Sequence, residues 1–223
     1  AGNGILQILW ERGWRLDLIQ LLRDAATRWM LWLPAFAVDA DRLVADLVQL
    51  LRQRIHSQLE EDGHSPDLVQ ASAGDAIGDQ RLLSDPIDVL DRIRLLTQLR
   101  EQNRLAAVQA VVQRAARLAE KGDLSMSVLG ATDVVDPGRF QSPSEEAMLD
   151  VVRKLEPLAR TRDYEALASA LVQATPTLEA FFDGDRSVMV MDEDPNLRRN
   201  RLNLLGVLRN QASVLAHFEA IQA

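Results

Sequence analysis

Asp85-Pro86-Ile87-Asp88-Val89-Leu90-Asp91-Arg92-Ile93-Arg94-Leu95-Leu96-Thr97-Gln98-Leu99 reads as a helix from its first two residues. An aspartate before a proline is a start signal. The carboxylate accepts from orphan amides of the first turn, where proline has no amide to lose. Val89, Leu90, Ile93, Leu96 and Leu99 then recur at three- and four-residue spacing, lining one helical face.

The same grammar extends in both directions. Upstream, Ile5, Leu6, Ile8 and Leu9 form a short helix stopped at Gly13. A second helix spans about Leu16 to Trp32, with Leu18, Leu21, Leu22, Ala25 and Trp29 on one face and Pro34 closing it. Asp39 or Asp41 caps a long third helix through Leu43, Leu47, Leu50, Leu51, Ile55 and Leu59, ending at Gly63. The polar stretch 63–84 holds one short helix and loops. Downstream, the period resumes from Leu105 to Leu118 and stops at Gly122. After a loop containing Asp136-Pro137-Gly138, the run Ser142-Pro143-Ser144-Glu145 is a capping box that opens a helix to about Arg160. Further helices are predicted from Tyr164 to Ala174, from Thr175-Pro176 to Phe182, and from Asp194-Pro195 nearly to the end. No hairpin signal or sustained alternation occurs. The fold class is all-α, a helical bundle.

Composition narrows the chemistry. The 223 residues are 47% apolar and 26% charged, as in folded globular chains. No apolar run reaches the roughly 18–20 residues of a membrane span. The lack of cysteine excludes disulfides, thiolate zinc sites and cysteine nucleophiles. The chain does not begin with methionine, and it carries no basic and apolar leader. Trp10, Trp14, Trp29 and Trp32 crowd ahead of Pro34 in a chain that is only 4% aromatic. Such crowding is expected of helices that pack on something larger, so the chain reads as the end piece of a longer protein. Alone, it is expected to self-associate through that apolar surface.

Charge is unevenly spread. The net charge is −8, whereas nucleic-acid binders are usually basic. Yet between Arg92 and Arg117, six arginines face the single acid Glu101, and from Arg198 to Glu219 four face Glu219 alone. Most of the first group lack an acid four residues away, which leaves a polyanion as a plausible partner. Only Lys121 and Lys154 are lysines, and arginine is the better residue for phosphate forks and base stacking.

Catalytic signatures are missing: there is no glycine-rich phosphate loop, nucleophile elbow or zinc helix. His56 reads as a solvated face residue, His64 as a turn residue and His217 as part of a terminal segment. Asp183, Asp185, Asp192, Glu193 and Asp194 lack the spacing of a calcium loop and read as capping groups, Asp194 foremost. Phe181-Phe182 and Val188-Met189-Val190-Met191 read as core packing.

The C-terminal order Phe181-Phe182-Asp183, Val188-Met189-Val190-Met191-Asp192-Glu193-Asp194, Arg198-x-Asn200-Arg201-Leu202-x-Leu204-Leu205 resembles the β subunit of bacterial two-subunit glycyl-tRNA synthetases. Gly4-Ile5-Leu6-x-Ile8-Leu9 with Leu16-Asp17-Leu18 is similar to the end of that family's HD-like helical domain, and Asp91-Arg92-Ile93-Arg94 to its Arg-apolar-Arg helix. The resemblance implies connector helices over 1–34 and a DALR-type anticodon-binding domain over 35–223. It also implies a cytoplasmic protein whose partners are glycine tRNA, the α subunit and the remainder of the β subunit, without membrane or DNA. Catalytic residues would lie elsewhere: ATP and magnesium belong to the α subunit, and this chain would hold no cofactor. The HD-type His-Asp metal pair is missing, so no metal is implied. Since unstacked bases are read by stacking and edge hydrogen bonds, the expected RNA-binding residues are Arg92, Arg94, Arg114 and Arg117. Arg198, Arg199, Asn200 and Arg201 follow, Asn200 serving equally well to satisfy backbone. Two departures stand out. Gly184-Asp185-Arg186-Ser187 lengthens a loop, and Gln113-Arg114-Ala115-Ala116-Arg117-Leu118 replaces Lys-Arg-Val-x-Asn-Ile. Two other readings compete: a helical protein-interaction scaffold without RNA, and an enzyme using the acidic loop with a divalent ion.

Overall fold

A computed structural model describes residues 2–32 and 39–222. Among them the chain is helical, with no strand. It divides into two compact units, Ala1–Thr97 and Gln98–Ala223. The expected boundary at 34/35 and the stop at Pro34 lie outside the described residues.

The first unit is built around α3 (Ala40–Glu61), on which α1 (Gly2–Arg12), α2 (Leu18–Trp32), α4 (Pro66–Ala73) and α5 (Asp79–Ser84) pack. The Asp39 side chain accepts from the amides of Asp41 and Arg42, the expected cap. Gly63, at φ +91°, turns the chain after α3 in a conformation that glycine adopts without strain. Val44, Val48, Leu51, Ile55 and Leu59 form the buried stripe of α3, whereas Leu50 is exposed. Arg52 holds the α4–α5 connection: its Nε donates to Asp79 at 2.7 Å and its Nη1 to the carbonyls of Ala73 and Gly74. The stretch 63–84 thus folds into two short helices, one more than its composition suggested. Helix α6 (Pro86–Glu101), which carries the chain from the first unit into the second, starts at the Asp85-Pro86 signal and buries all five of its periodic apolar residues. The Trp10 indole donates to the Pro86 carbonyl at 3.0 Å, and Arg15 bridges Asp85 and Asp91.

The predicted face of α2 is corrected by the structure. Leu18, Ile19 and Ala26 are buried, with Leu22 and Met30 half-buried, while Leu21, Ala25 and Trp29 are exposed. Helix α2 carries two apolar stripes, and α3 and α5 cover only one.

In the second unit, Asn103 takes a left-handed conformation (φ 57°) before α7 (Leu105–Ala119). The capping box forms as read, with Ser142 and Glu145 exchanging bonds at the start of α8 (Pro143–Thr161). The predicted break at Thr175-Pro176 does not occur: α9 runs unbroken from Tyr164 to Phe182. Pro176 has no amide to donate to the carbonyl four residues before it, and the Thr175 hydroxyl adds a bond to the Leu171 carbonyl at 3.1 Å without replacing the one lost. Helix α10 (Pro195–Ser213) packs against α7 and α8 and is buried almost all round. The Asp194 cap forms as expected, accepting from the Asn196 amide at 2.8 Å.

Candidate nucleic-acid interface

Helix α10 buries polar residues, and each has an assigned partner. The Asn200 amide group pairs with both backbone groups of Asp136, accepting from its amide at 2.7 Å and donating to its carbonyl at 3.0 Å. Asn203 donates to the Val134 carbonyl at 2.7 Å, and Asn210 to those of Ser125 and Val128. Gln211 donates to Leu129 and Val152. Together these bonds fasten the connecting segment 122–136 along the helix, satisfying backbone groups that have no ladder of their own. Gly206 permits the approach: a Cβ there would lie 2.8 Å from the Leu124 side chain. Partial burial pulls the Arg209 guanidinium below its ordinary pKa, opposed by Glu120 and Glu219. Its Nη2 donates to the Leu124 carbonyl.

The fastened segment and the first turns of α10 wall a polar cleft of about 700 Å³. Arg139, Arg199, Asn196 and three aspartates (Asp123, Asp133 and Asp136) line it. A second recess of about 370 Å³ shares Arg199 and adds Lys121 and Arg198. Arg139 pairs with Asp136 at 3.1 Å, and Arg198 donates to the Asp192 carbonyl at 2.9 Å. Arg199 and Lys121 are exposed and meet no carboxylate within 4.0 Å among the described residues. Of the residues expected from sequence, Arg198, Arg199 and Asn200 meet here, although the Asn200 amide group is already engaged by backbone. Lys121, Arg139 and Asn196 were not foreseen, because two sit in a stretch with no helical period and the third looks like an ordinary first-turn residue.

The remaining expected residues lie elsewhere. Arg117 is exposed on α7, also without a carboxylate within 4.0 Å, one helical turn before Lys121. Arg94 is exposed on α6 and belongs to the first unit. Arg92 is 0% exposed, with its Nε donating to Asp88 at 2.9 Å. Arg114 stacks over the Phe182 ring at 4.6 Å and pairs with Asp183 at 2.6 Å, so the Phe-Phe-Asp signature anchors an arginine. Arg201 is buried. Its Nε donates to Glu145 at 2.9 Å and its Nη1 to Asp192 at 3.0 Å and the Met189 carbonyl at 2.9 Å. Arg92 and Arg201 therefore present no free guanidinium at the surface.

Asp183 and Asp192 are engaged in these ion pairs and Asp194 in its cap, and no three His, Asp or Glu groups among the described residues converge as metal ligands. Core packing holds for half of Val188-Met189-Val190-Met191: the valines are buried, while Met189 is 74% exposed. Alternation along an extended segment separates the two kinds. Both sequence departures have structural roles. Gln113 donates to the carbonyls of Phe218 and Ile221, tying down the C-terminal turn. In the lengthened loop, the Arg186 carbonyl accepts from Ser144 at 2.8 Å and from Ser142.

No protein-family model matches the chain. Curated relatives do. It is 42% identical to the glycine–tRNA ligase β subunit of Picosynechococcus over 99% of its length, and 38% identical to that of Trichodesmium erythraeum over the same share. The counterpart from Vibrio parahaemolyticus is 27% identical over the whole chain. The chain spans about 31% of the length of the first two relatives. Over 99% of its length and at up to 42% identity, the chain matches the C-terminal part of glycine–tRNA ligase β subunits.

Proposed function

We propose that this chain grips the anticodon arm of glycine tRNA as a non-catalytic part of a glycine–tRNA ligase β subunit, and so serves glycyl-tRNA formation. Glycine activation with ATP and magnesium is assigned to the α subunit. The DALR-type anticodon-binding role falls to the unit Gln98–Ala223. The observation that carries the reading is the group Arg117, Lys121 and Arg199, three exposed cations without a carboxylate partner on a chain of net charge −8. Charges left uncompensated beside a polar cleft suit phosphates and base edges. The similarity to β subunits supplies the RNA.

Fluorescence-anisotropy titration of a glycine-tRNA transcript, beside one with altered anticodon bases and at two salt concentrations, tests the reading. Tighter binding of the native anticodon is expected, and Arg117→Ala and Lys121→Ala should each flatten the salt dependence by about one counterion. Equal affinity for both transcripts would leave a backbone gripper without anticodon specificity.

A second reading is favoured by the apolar surface of α1, α2 and the turn between them, where Trp14 in the turn is 55% and Trp32 on α2 is 78% exposed. This is the surface suited to protein partners, the remainder of the β subunit and the α subunit among them. A scaffold without RNA would bind a protein partner through it and leave the tRNA unbound at both salt concentrations.

A further inference from the structure

Helix α9 runs out into Asp183-Gly184, an aspartyl-glycine step whose peptide unit is loosely held. Among the described residues, neither the Asp183 carbonyl nor the Gly184 amide has a hydrogen-bond partner. Nothing lies within 4 Å of where a Gly184 Cβ would stand, and the Asp183 side chain is 67% exposed. The other such step, Asp62-Gly63, is tied down. The Gly63 amide donates to the Glu60 carbonyl at 3.0 Å, and the Asp62 carboxylate accepts from Gln58 at 3.1 Å.

We propose that Asp183-Gly184 is a self-modification site, where the chain converts aspartate to isoaspartate and so releases Arg114. The Gly184 nitrogen attacks Asp183 Cγ and forms an N–C bond. The carboxyl loses its hydroxyl, which leaves as water with the amide hydrogen, and a cyclic succinimide closes. Glycine favours closure because it has no side chain to crowd the ring. Water then reopens it. Hydrolysis of the Cγ–N bond restores aspartate. Hydrolysis of the original C–N bond instead carries the backbone through Cβ and Cγ and leaves the free carboxylate on Cα. Water is the only co-reactant. Closure requires the carboxyl to leave Arg114, with which it pairs at 2.6 Å, so the ion pair acts as a brake. After conversion the backbone is one carbon longer and the carboxylate is displaced, which leaves Arg114 with the Phe182 ring and carbonyl alone.

The test ages the full chain at neutral pH beside its Arg114→Ala and Arg114→Lys variants and a synthetic peptide of residues 179–189. Isoaspartate is read by enzymatic methylation of its carboxylate. Peptide mapping separates position 183 from Asn3-Gly4 and Asp62-Gly63. Conversion at 183 is expected to exceed that at 62 severalfold. Arg114→Ala should raise it toward the rate of the peptide, while Arg114→Lys, which keeps a cation for the carboxylate, should not. Matching melting temperatures before ageing show that the variants are folded. Equal conversion at 183 and 62, none at 183 while the peptide converts, or an unchanged rate in Arg114→Ala would each overturn the proposal.

Discussion

Helices α2 and α10 invert the ordinary rule of inside and outside. On α2, Leu31 is 75% exposed and Trp32 also faces outward, whereas α10 buries Asn200, Arg201, Asn203, Asn210 and Gln211. The difference lies in what each residue meets. Asn200, Arg201, Asn203 and Asn210 find backbone or carboxylate partners, as does the Gln211 amide nitrogen, so most of their desolvation is offset by hydrogen bonds; only the Gln211 Oε1 is left without one. The second apolar stripe of α2 has no covering element among the described residues, so its burial awaits a partner. Burial follows satisfied groups rather than hydropathy alone.

The comparison can be broken most forcefully at Arg201. Arg201→Ala leaves Glu145 buried without its cation and unties Asp192 and the Met189 carbonyl. A loss of about 3–5 kcal/mol in chemical denaturation is expected. Next comes Asn210→Ala, which orphans the carbonyls of Ser125 and Val128. Denaturant midpoints should report a loss of about 1–3 kcal/mol, with an unaltered m-value. On the other side of the comparison, Leu31→Lys with Trp32→Lys should leave stability within about 0.5 kcal/mol of wild type. Light scattering should then show less self-association than in the parent chain.

The smallest effect concerns pH. Partial burial, with Arg94 nearby, holds His64 below the ordinary imidazole pKa of 6.5 despite the opposing charge of Asp62. The unfolded chain therefore binds a proton more readily than the folded one. Stability is full above pH 6.5 and declines as pH falls below it. His64→Gln should flatten that acid limb of a melting-temperature profile, keeping a side chain able to reach the Thr97 hydroxyl, now 3.0 Å from His64 Nδ1.

Much of this architecture is legible in the sequence. Asp39, Asp85-Pro86, Ser142-Pro143-Ser144-Glu145 and Asp194-Pro195 mark helix starts through local chemistry, and each start is found where it was read. Pro176 misleads, because an α9 long enough on both sides tolerates one missing bond. The site was only half legible. Arg92, Arg94, Arg114 and Arg117 look alike as letters in a basic stretch, yet Asp88 buries the first and Phe182 with Asp183 docks the third. Those partners stand one helical turn and 69 residues away respectively, and only the first spacing shows in a local pattern. Arg139 and Lys121 were invisible for the opposite reason: they flank the segment 122–136, which has no periodicity and whose position is dictated by asparagines on α10.

The most direct measurement is the affinity of Arg199→Ala for glycine tRNA, taken together with its melting temperature. We expect binding to weaken about tenfold, with a melting temperature equal to that of the wild type, since Arg199 contacts solvent rather than core. Wild-type affinity in a folded Arg199→Ala chain would contradict the assignment of the RNA interface to the cleft beside α10.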